Sequence, residues 1–293
     1  MLKYEGSIWR PPSEARSLIL QATVGCSHNA CTFCISYKKK RYRVRGRDGL
    51  TMDLDSLPDD LKRRTKRVFL ADGNALAMPY EDWTESLQLL YQELPNLERV
   101  STYGYAKDVD DKTIEDLRDL RGSGLNLVYL GLETGHDELL KWSRKGVTSR
   151  EIVDACKKIK AADIPLSLTI ILGLGGSEKS KEHAIATASA LNEIDPEYVG
   201  ALTLMIPKGT PLFEMTQRDE FSPMDPIEIL NELYILVENL ELTSCVFRTN
   251  HASNYLAVGG TLNQDKEKIL SSLRTVLETK DEDMLRPSYL RGL

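Results

Sequence analysis

Short apolar runs rich in branched residues recur through the first two thirds of the chain and alternate with polar segments. Runs of this length, bounded by glycine, proline or charged residues, are typical of buried β-strands. Between them, apolar residues return every three or four positions, as in amphipathic helices. The predicted strands are SLILQATVG (17–25), RVFLADGN (67–74), LERVSTYGY (97–105), LNLVYLGLE (125–133), IPLSLTIILGLGG (164–176) and YVGALTLMIP (198–207). The predicted helices between them include DWTESLQLLYQEL (82–94), DDKTIEDLRDLRGSG (110–124) and TSREIVDACKKIKAA (148–162).

This alternation predicts an α/β fold. Strand–helix repeats form βαβ units with parallel strands, and six of them fit a partial (β/α)6 TIM-type barrel better than a closed eight-fold one. Beyond the sixth strand the rhythm changes, and helices are predicted near 226–240 and 264–279. We therefore expect a barrel core over 1–215 and a C-terminal α/β extension, packed on the barrel, over 216–293. Reactive residues of such barrels lie at the carboxyl ends of the strands.

The overall charge of the chain is acidic, but one segment is strongly basic. The net charge of −6 argues against a general nucleic-acid binder. Basic residues nevertheless concentrate between Lys38 and Arg67, which hold 12 of the 38 lysines and arginines. This basic segment is either a solvated face or a surface for an anionic substrate, an acidic electron donor or RNA phosphates. No apolar run reaches the ~20 residues of a membrane span, and the first residues lack a signal-peptide core, so we expect a cytoplasmic protein.

Three of the five cysteines lie within nine residues, directly after the first predicted strand. Cys26, Cys31 and Cys34 have the spacing C-x4-C-x2-C, which in a cytosolic chain indicates metal or redox chemistry rather than disulfides. Two kinds of centre suit these residues. With His28 as a fourth ligand they form a structural zinc site, although four ligands in nine residues leave little backbone slack. Alone they hold three irons of a [4Fe–4S] cluster and leave the fourth iron open to a small molecule.

The loop and its position resemble the radical S-adenosylmethionine (radical SAM) superfamily, in the group similar to oxygen-independent coproporphyrinogen oxidase. Members carry three clustered cysteines after the first strand of a partial barrel, usually spaced C-x3-C-x2-C, so the spacing here is one residue longer. The family also places an aromatic residue before the third cysteine, against the adenine, and Phe33 stands there. The resemblance covers about residues 17–212. It implies two cofactors, S-adenosylmethionine and a [4Fe–4S] cluster held by Cys26, Cys31 and Cys34.

Further motifs at successive strand ends carry the same resemblance. ADGNAL follows the second strand, where the family receives the methionine amino group, so Asp72, Gly73 and Asn74 are the implied counterpart. GLETGHDELLKWSRKG follows the fourth strand. There Glu133 is implied to accept from the ribose hydroxyls, and Lys145 to neutralise the methionine carboxylate. The end of the fifth strand and the turn MIPKGTPL flank the adenine and sugar in that group.

The resemblance implies a radical enzyme. The reduced cluster donates one electron to S-adenosylmethionine, and the resulting 5′-deoxyadenosyl radical abstracts hydrogen from an unidentified, polar or anionic small molecule. The implied electron donor is a flavodoxin or ferredoxin, and neither a membrane nor nucleic acid is an expected partner. Cys156 and Cys245 are too few for a second cluster. Cys156 is expected in the core, whereas Cys245 either packs there or lines a site.

Residues that act on the substrate are harder to identify. FRTNHASNY (247–255) is rich in hydrogen-bonding side chains, which either hold a polar substrate or stabilise turns. Two tyrosines at the end of the third strand either line the site or pack. Arginines after the cysteines suit a carboxylate or phosphate group. The candidate catalytic residues are His251, Tyr103 and Tyr105, with Asn250 and Asn254 as further substrate contacts and Arg41, Arg43 and Arg45 as anion contacts.

A second hypothesis comes from a different class of protein. Some proteins similar to the coproporphyrinogen oxidase group keep the cluster but carry haem. A haem carrier needs an iron ligand in the extension, and His251 and Cys245 are the nearby candidates.

Overall fold

The computed structural model describes residues 2–292, and within them ten strands and ten α-helices. The strands are β1 (Leu18–Gln21), β2 (Thr23–Val24), β3 (Arg43–Val44), β4 (Arg67–Ala71), β5 (Arg99–Gly104), β6 (Leu125–Glu133), β7 (Leu166–Leu172), β8 (Tyr198–Thr203), β9 (Val246–Arg248) and β10 (Gly259–Thr261). The helices are α1 (Gly46–Asp55), α2 (Asp59–Arg64), α3 (Tyr80–Glu93), α4 (Ile114–Gly122), α5 (Asp137–Trp142), α6 (Ser149–Lys160), α7 (Ser180–Ile194), α8 (Pro211–Gln217), α9 (Pro226–Glu238) and α10 (Lys266–Thr279).

All six predicted strands are present, the first of them as two short strands. The division falls at Ala22, whose N–H donates to the carbonyl of Ala71 at the end of β4 (2.9 Å). Beyond it, β2 leaves the main sheet and pairs antiparallel with β3, so that Thr23 faces Val44. This two-stranded ladder closes the segment 25–42 into a loop, which we call the cysteine loop.

The other eight strands form one sheet in the order β1-β4-β5-β6-β7-β8-β9-β10. β1, β4, β5 and β6 pair parallel in succession, and so do β7, β8 and β9, whereas β9 and β10 are antiparallel. The fold is therefore α/β with a mostly parallel sheet, as the alternation of strands and helices predicted. The short strands β9 and β10 were not predicted, because three-residue runs are too short to show a strand pattern.

The described residues form two compact units, each made of several segments. The first unit comprises residues up to Asn29, Ser36–Leu130 and Asp154–Leu166. The second comprises Ala30–Ile35, Gly131–Val153 and the chain from Ser167 onward. The predicted division into 1–215 and 216–293 was based on the strand–helix rhythm of the sequence and not on compactness. It stays a prediction.

The core of the first unit is built from alternate residues of its strands, since residues two apart on a strand share one face. Phe69 and Ala71 of β4 pack with Leu127 and Tyr129 of β6. Tyr103 of β5 packs against this cluster, with its ring edge-on to that of Phe69 and ring centroids 4.9 Å apart. Each large apolar side chain buried in this way stabilises the fold by roughly 1.5–3 kcal/mol.

In the second unit, α9 packs against α7 and α10. The helices predicted near 226–240 and 264–279 are confirmed as α9 and α10 to within about two residues at either end. α9 begins with a reciprocal cap, in which the Glu228 N–H donates to the Asp225 carboxylate (2.8 Å) and the Asp225 N–H to the Glu228 carboxylate (2.9 Å). Such caps satisfy N–H groups that the first helical turn leaves without partners.

The two cysteines outside the cysteine loop are fully buried. Burial raises the pKa of the Cys156 thiol to about 12, so this residue is a small apolar core group, as predicted. In residues 2–292 no helix combines the length and apolar character needed to cross a membrane.

Candidate functional site

The cysteine loop carries three partly exposed thiols, Cys26, Cys31 and Cys34. Among residues 2–292 no three His, Cys, Asp or Glu side chains are gathered around a single ion position. A [4Fe–4S] cluster does not require such a position, because each thiolate ligates a different iron. The donor set of three thiolates on one loop therefore suits a cluster with one open iron.

The start of the loop is held by residues after β4, within the first unit. The Gly25 N–H donates to Asp72 Oδ2 (2.9 Å), and the Ser27 N–H donates to Asn74 Oδ1 (2.9 Å). Asn74 Nδ2 also donates to the Ser27 hydroxyl (2.7 Å). Asp72 and Asn74, two of the three residues in the predicted methionine-binding motif, thus accept hydrogen bonds from the backbone on either side of Cys26.

Gly73, the third residue of that motif, is needed for space. A Cβ at this position would lie 2.3 Å from the Gly25 carbonyl oxygen and 2.5 Å from Cys26 Cα. Both are backbone atoms, which cannot move aside as a flexible side chain can. Only glycine therefore lets the turn after β4 approach the first cysteine so closely.

Asp72 is fully buried and forms an ion pair with Lys40, whose Nζ lies 2.6 Å from Asp72 Oδ2. Lys40 also donates to the carbonyl of Ser7 (2.7 Å). Asp72 Oδ1 accepts no hydrogen bond from any residue that the structure describes. One lysine of the basic segment is therefore part of the site's interior, a role that its place in the run KKKRYR did not indicate.

A buried carboxyl, which the sequence did not single out, stands behind Asn74. Asp108 Oδ1 accepts from Asn74 Nδ2 (2.7 Å), and Oδ2 accepts from the Tyr105 N–H (2.8 Å). Burial raises the pKa of Asp108 to about 7, although both hydrogen bonds and the nearby Lys112 act to lower it. The pattern of apolar and polar residues does not show that Asp108 is buried, because DVDDK (108–112) resembles an exposed acidic turn.

Next to Asp108 lies a cavity of about 340 Å³ in the first unit. The Tyr105 ring forms part of its wall and stacks on His28 of the cysteine loop, with centroids 5.0 Å apart and planes inclined by 21°. Tyr105 therefore lines a cavity, whereas Tyr103 packs in the apolar core. The cavity is lined by Ser27, His28, Ala77, Tyr105, Lys107, Asp108, Asp110 and Asp111.

In the second unit, the predicted pair at the end of β6 is brought together. Lys145 Nζ donates to Glu133 Oε1 (2.8 Å), and both side chains are buried. A Cβ on Gly131 would lie 2.1 Å from Glu133 Oε1 and 2.9 Å from Lys145 Nζ. Gly131 thus leaves the room in which the Glu133–Lys145 pair lies, a requirement that the sequence pattern GLETG did not reveal.

The segment that carries Phe33 is fixed through its neighbour Thr32. The Thr32 N–H donates to the Ser143 carbonyl (2.9 Å), and the Thr32 carbonyl accepts from the Leu212 N–H (3.0 Å). Phe33 itself is half-buried. Its predicted contact with adenine stays a prediction.

The loop after β9 is mainly structural in the second unit. Asn254 is buried, accepts from the Thr203 hydroxyl (2.8 Å) and donates to the carbonyls of Ala201 and Thr249 (both 2.8 Å). All of its amide groups are thus used within the fold, which favours the turn-stabilising alternative for this residue. His251 Nδ1 accepts from the Ser253 N–H (3.1 Å), and burial, with the nearby charge of Arg286, lowers its pKa.

Comparison with known proteins identifies the family to which the sequence is similar. Residues 20–188 match the model of the Radical SAM superfamily. The heme chaperone HemW of Bacillus subtilis is 23% identical over 174 residues, which is 59% of this chain and 45% of that protein. The tRNA-2-methylthio-N(6)-dimethylallyladenosine synthase of Geobacillus thermodenitrificans is 26% identical over 223 residues, 74% of this chain and 41% of that protein. The chain spans less than half the length of these two curated relatives.

Solved structures show the same fold. Coproporphyrinogen III oxidase (HemN) from Escherichia coli superposes with a TM-score of 0.55 at 16% identity, covering 76% of this chain and 52% of that one. Methylornithine synthase (PylB) gives a TM-score of 0.53 at 19% identity, covering 77% and 63%. The predicted fold class is confirmed, and the likeness to coproporphyrinogen III oxidase holds at the level of the fold.

Proposed function

Because the chain belongs to the radical SAM superfamily, we propose that it uses S-adenosylmethionine to take a hydrogen atom from a polar or anionic small molecule. Its cofactors are those of the family, a [4Fe–4S] cluster and S-adenosylmethionine. When bound, the cluster supplies the electron that cleaves S-adenosylmethionine to methionine and the 5′-deoxyadenosyl radical. The single observation that carries the proposal is the match of residues 20–188 together with the C-x4-C-x2-C loop inside it.

Family membership supports iron over zinc as the metal of the cysteine loop. We assign Cys26, Cys31 and Cys34 as the cluster ligands. His28, the fourth ligand of the zinc alternative, instead stacks on Tyr105. Thiolates are soft ligands suited to iron–sulfur centres, and the partial exposure of all three allows the cluster to reach them.

Residues after β4 and β6 are proposed to bind S-adenosylmethionine. In the first unit, the turn Asp72–Asn74 is proposed to face the methionine amino group, which needs acceptor atoms, and Asp72 Oδ1 is a buried acceptor of this kind. In the second unit, Lys145 is proposed to face the methionine carboxylate and Glu133 the ribose hydroxyls. Their mutual ion pair holds both side chains in place before the ligand binds.

Among the candidate catalytic residues, Tyr105 and His251 remain proposals for the substrate site. Tyr105 is supported by its place in a polar cavity beside the cysteine loop. Tyr103 has weaker support, because its ring packs against Phe69 and burial raises its pKa far above the ordinary value. A cytoplasmic location, and a flavodoxin or ferredoxin as electron donor, are proposed with the enzyme.

Anaerobic reconstitution tests the proposal directly. The full chain with iron and sulfide is expected to bind about four irons and, with dithionite, to release 5′-deoxyadenosine from S-adenosylmethionine. Cys26→Ala, Cys31→Ala and Cys34→Ala are each expected to lose the cluster. Cys156→Ala is the matched control, since this thiol lies in the core, and should keep a normal iron content. A protein that retains one zinc and binds no iron would refute the proposal.

Haem carriage is the second candidate, supported by the likeness to the heme chaperone HemW. The burial of Cys245 makes it a poor haem ligand, which leaves His251. Titration with haem, followed by the Soret band in wild type and His251→Ala, separates the candidates. Haem binding that depends on His251, without 5′-deoxyadenosine formation, would favour the carrier.

A further inference from the structure

A buried polar network in the second unit is not used by the proposed chemistry. It joins the turn after β6, the turn after β7 and two helices, α7 and α9. Its members are wholly or almost wholly inaccessible to solvent: Thr134, His183, Thr187 and Glu232. Buried polar groups weaken a core unless they are hydrogen-bonded, so their partners indicate what they do.

The turn after β6 is held by α7. Thr134 directly follows Glu133, and its hydroxyl lies 2.7 Å from His183 Nδ1. The same hydroxyl accepts from the His136 N–H (3.0 Å), and the Gly135 N–H donates to the Thr187 hydroxyl (3.0 Å). Consecutive N–H groups of this turn are thus tied to side chains, which fixes the backbone that carries Glu133.

The same histidine reaches the end of β7. His183 Nε2 lies 3.1 Å from the Ile171 carbonyl oxygen and 3.5 Å from Glu232 Oε1. Burial lowers the pKa of His183 to about 4, so the ring is neutral near pH 7. The Ile171 carbonyl oxygen can only accept, so the proton of the neutral His183 ring sits on Nε2 and is donated to Ile171. Nδ1 is then an acceptor, and the Thr134 O–H donates to it.

Glu232 extends this contact into the turn after β7. Its Oε1 accepts from the Gly173 N–H (2.6 Å), whereas Oε2 accepts from no residue within 2–292. Burial raises the pKa of Glu232 to about 7, although the Gly173 N–H and the Ser180 hydroxyl lower it. A buried carboxyl with an unpaired oxygen is costly, and apolar residues of similar size often stabilise a core more.

We propose that Thr134, His183 and Glu232 are positioning residues, which fix the turns after β6 and β7 so that the Glu133–Lys145 pair can bind S-adenosylmethionine. The proposal rests on the assignment of that pair under the proposed function. The residues act through the backbone of the two turns and touch neither cofactor nor substrate themselves. Backbone N–H groups beyond a strand end lose the partners that a continuing strand would supply. The buried side chains give these N–H groups partners, and this offsets the cost of burying polar groups in the core.

Two apolar variants break the network, one at each end. Thr134→Val deletes the hydroxyl that links the first turn to His183, and Glu232→Leu deletes the acceptor of the Gly173 N–H. Thr134→Ser and Glu232→Gln keep the hydrogen bonds and serve as conservative variants. The measurements are iron content, melting temperature, equilibrium dialysis of S-adenosylmethionine with the reconstituted full chain, and amide hydrogen exchange of His136 and Gly173.

Thr134→Val and Glu232→Leu are expected to weaken S-adenosylmethionine binding about ten-fold, the equivalent of one buried hydrogen bond. Iron content should stay normal, and the two amides should exchange faster. Thr134→Ser and Glu232→Gln should keep both the S-adenosylmethionine affinity and the amide exchange rates close to the wild-type values. Thr102→Val is the control for a general loss of stability, since the buried Thr102 hydroxyl donates to the Leu70 carbonyl (3.0 Å) in the first unit.

The outcomes separate the two proposals. Unchanged affinity and exchange in Thr134→Val and Glu232→Leu, or a loss no larger than that of Thr102→Val at equal melting temperature, would overturn the positioning role. If wild type itself binds no S-adenosylmethionine, the proposed function fails. In that case the exchange of His136 and Gly173 still decides whether the network holds the two turns.

Discussion

At the scale of single residues, Asp108 makes the first unit sensitive to pH. Its pKa is raised to about 7 by burial, against an ordinary value of 3.8. A carboxyl with a raised folded-state pKa stabilises the fold most when both states are protonated, below about pH 4. That stability is lost progressively as the pH rises from about 4 through 7, because the unfolded chain ionises first. Each pKa unit corresponds to ~1.4 kcal/mol.

Asp108→Asn should therefore flatten part of the pH dependence of stability. We expect the free energy of unfolding of wild type to fall relative to the variant between pH 5 and 7, by up to a few kcal/mol. Urea denaturation at pH 5, 6, 7 and 8 measures the difference. Asp110→Asn, at an exposed neighbour, is the control and should follow wild type. Parallel curves for wild type and Asp108→Asn would mean that this carboxyl does not ionise within the range.

At the scale of elements, the turn after β4 and the end of β6 each depend on one glycine, but in different ways. A Cβ on Gly73 would meet the backbone of Gly25 and Cys26, whereas a Cβ on Gly131 would meet the ends of two side chains, those of Glu133 and Lys145. Backbone atoms cannot yield locally, but side-chain ends can. Glycine-to-alanine substitution therefore has different consequences at Gly73 and at Gly131.

Gly73→Ala is expected to displace the start of the cysteine loop and reduce the iron bound on reconstitution to well under half. Gly131→Ala should keep the iron but separate Glu133 from Lys145, and so weaken S-adenosylmethionine binding about ten-fold. Iron assays and equilibrium dialysis of both variants provide the measurements. Gly122→Ala is the control, because a Cβ there meets nothing within 4 Å. Loss of iron in Gly131→Ala would contradict the expectation that Gly73 affects the cysteine loop and Gly131 only the Glu133–Lys145 pair.

The same elements show what the sequence can predict. Strand periodicity located β4 to β8, and because motifs at strand ends are local in sequence, Asp72, Asn74 and Glu133 could be proposed as site residues. Partners that come from distant segments could not be found in this way. Lys40 belongs to a basic run that resembles a solvated face, and only the fold places it on Asp72. His183, in a helix between the fifth and sixth predicted strands, has no local signal for its contact with Thr134.

At the scale of the whole molecule, the basic segment 38–67 is less charged than its sequence suggests. Several of its lysines and arginines pair with carboxylates of the first unit, either elsewhere in that unit or within the segment itself. Lys39 and Arg41 lie exposed on the cysteine loop. Exposed charges steer association with an oppositely charged partner more than they stabilise a fold. These two residues, rather than Lys40, whose side chain is 9% exposed and paired with Asp72, are therefore the proposed contacts of an acidic electron donor.

The double variant Lys39→Ala/Arg41→Ala should slow 5′-deoxyadenosine formation several-fold with flavodoxin as the reductant, and the difference should shrink at high salt. With dithionite, a small reductant that needs no docking, the rate should be unchanged. Arg63→Ala/Arg67→Ala removes the same charge from the other half of the basic segment and is the control. Equal slowing with both reductants would instead place Lys39 or Arg41 in contact with the substrate.

The ladder between β2 and β3 has a consequence for how such loops change during evolution. It fixes both ends of the cysteine loop, so an inserted residue is absorbed inside the loop and leaves the strands in register. Closing a loop of this length with one more residue costs less than ~0.1 kcal/mol in chain entropy. The extra residue between Cys26 and Cys31 is thus almost neutral for folding. For folding, a residue more or less at this gap is therefore tolerated, whereas a change of length inside β2 or β3 shifts the ladder out of register.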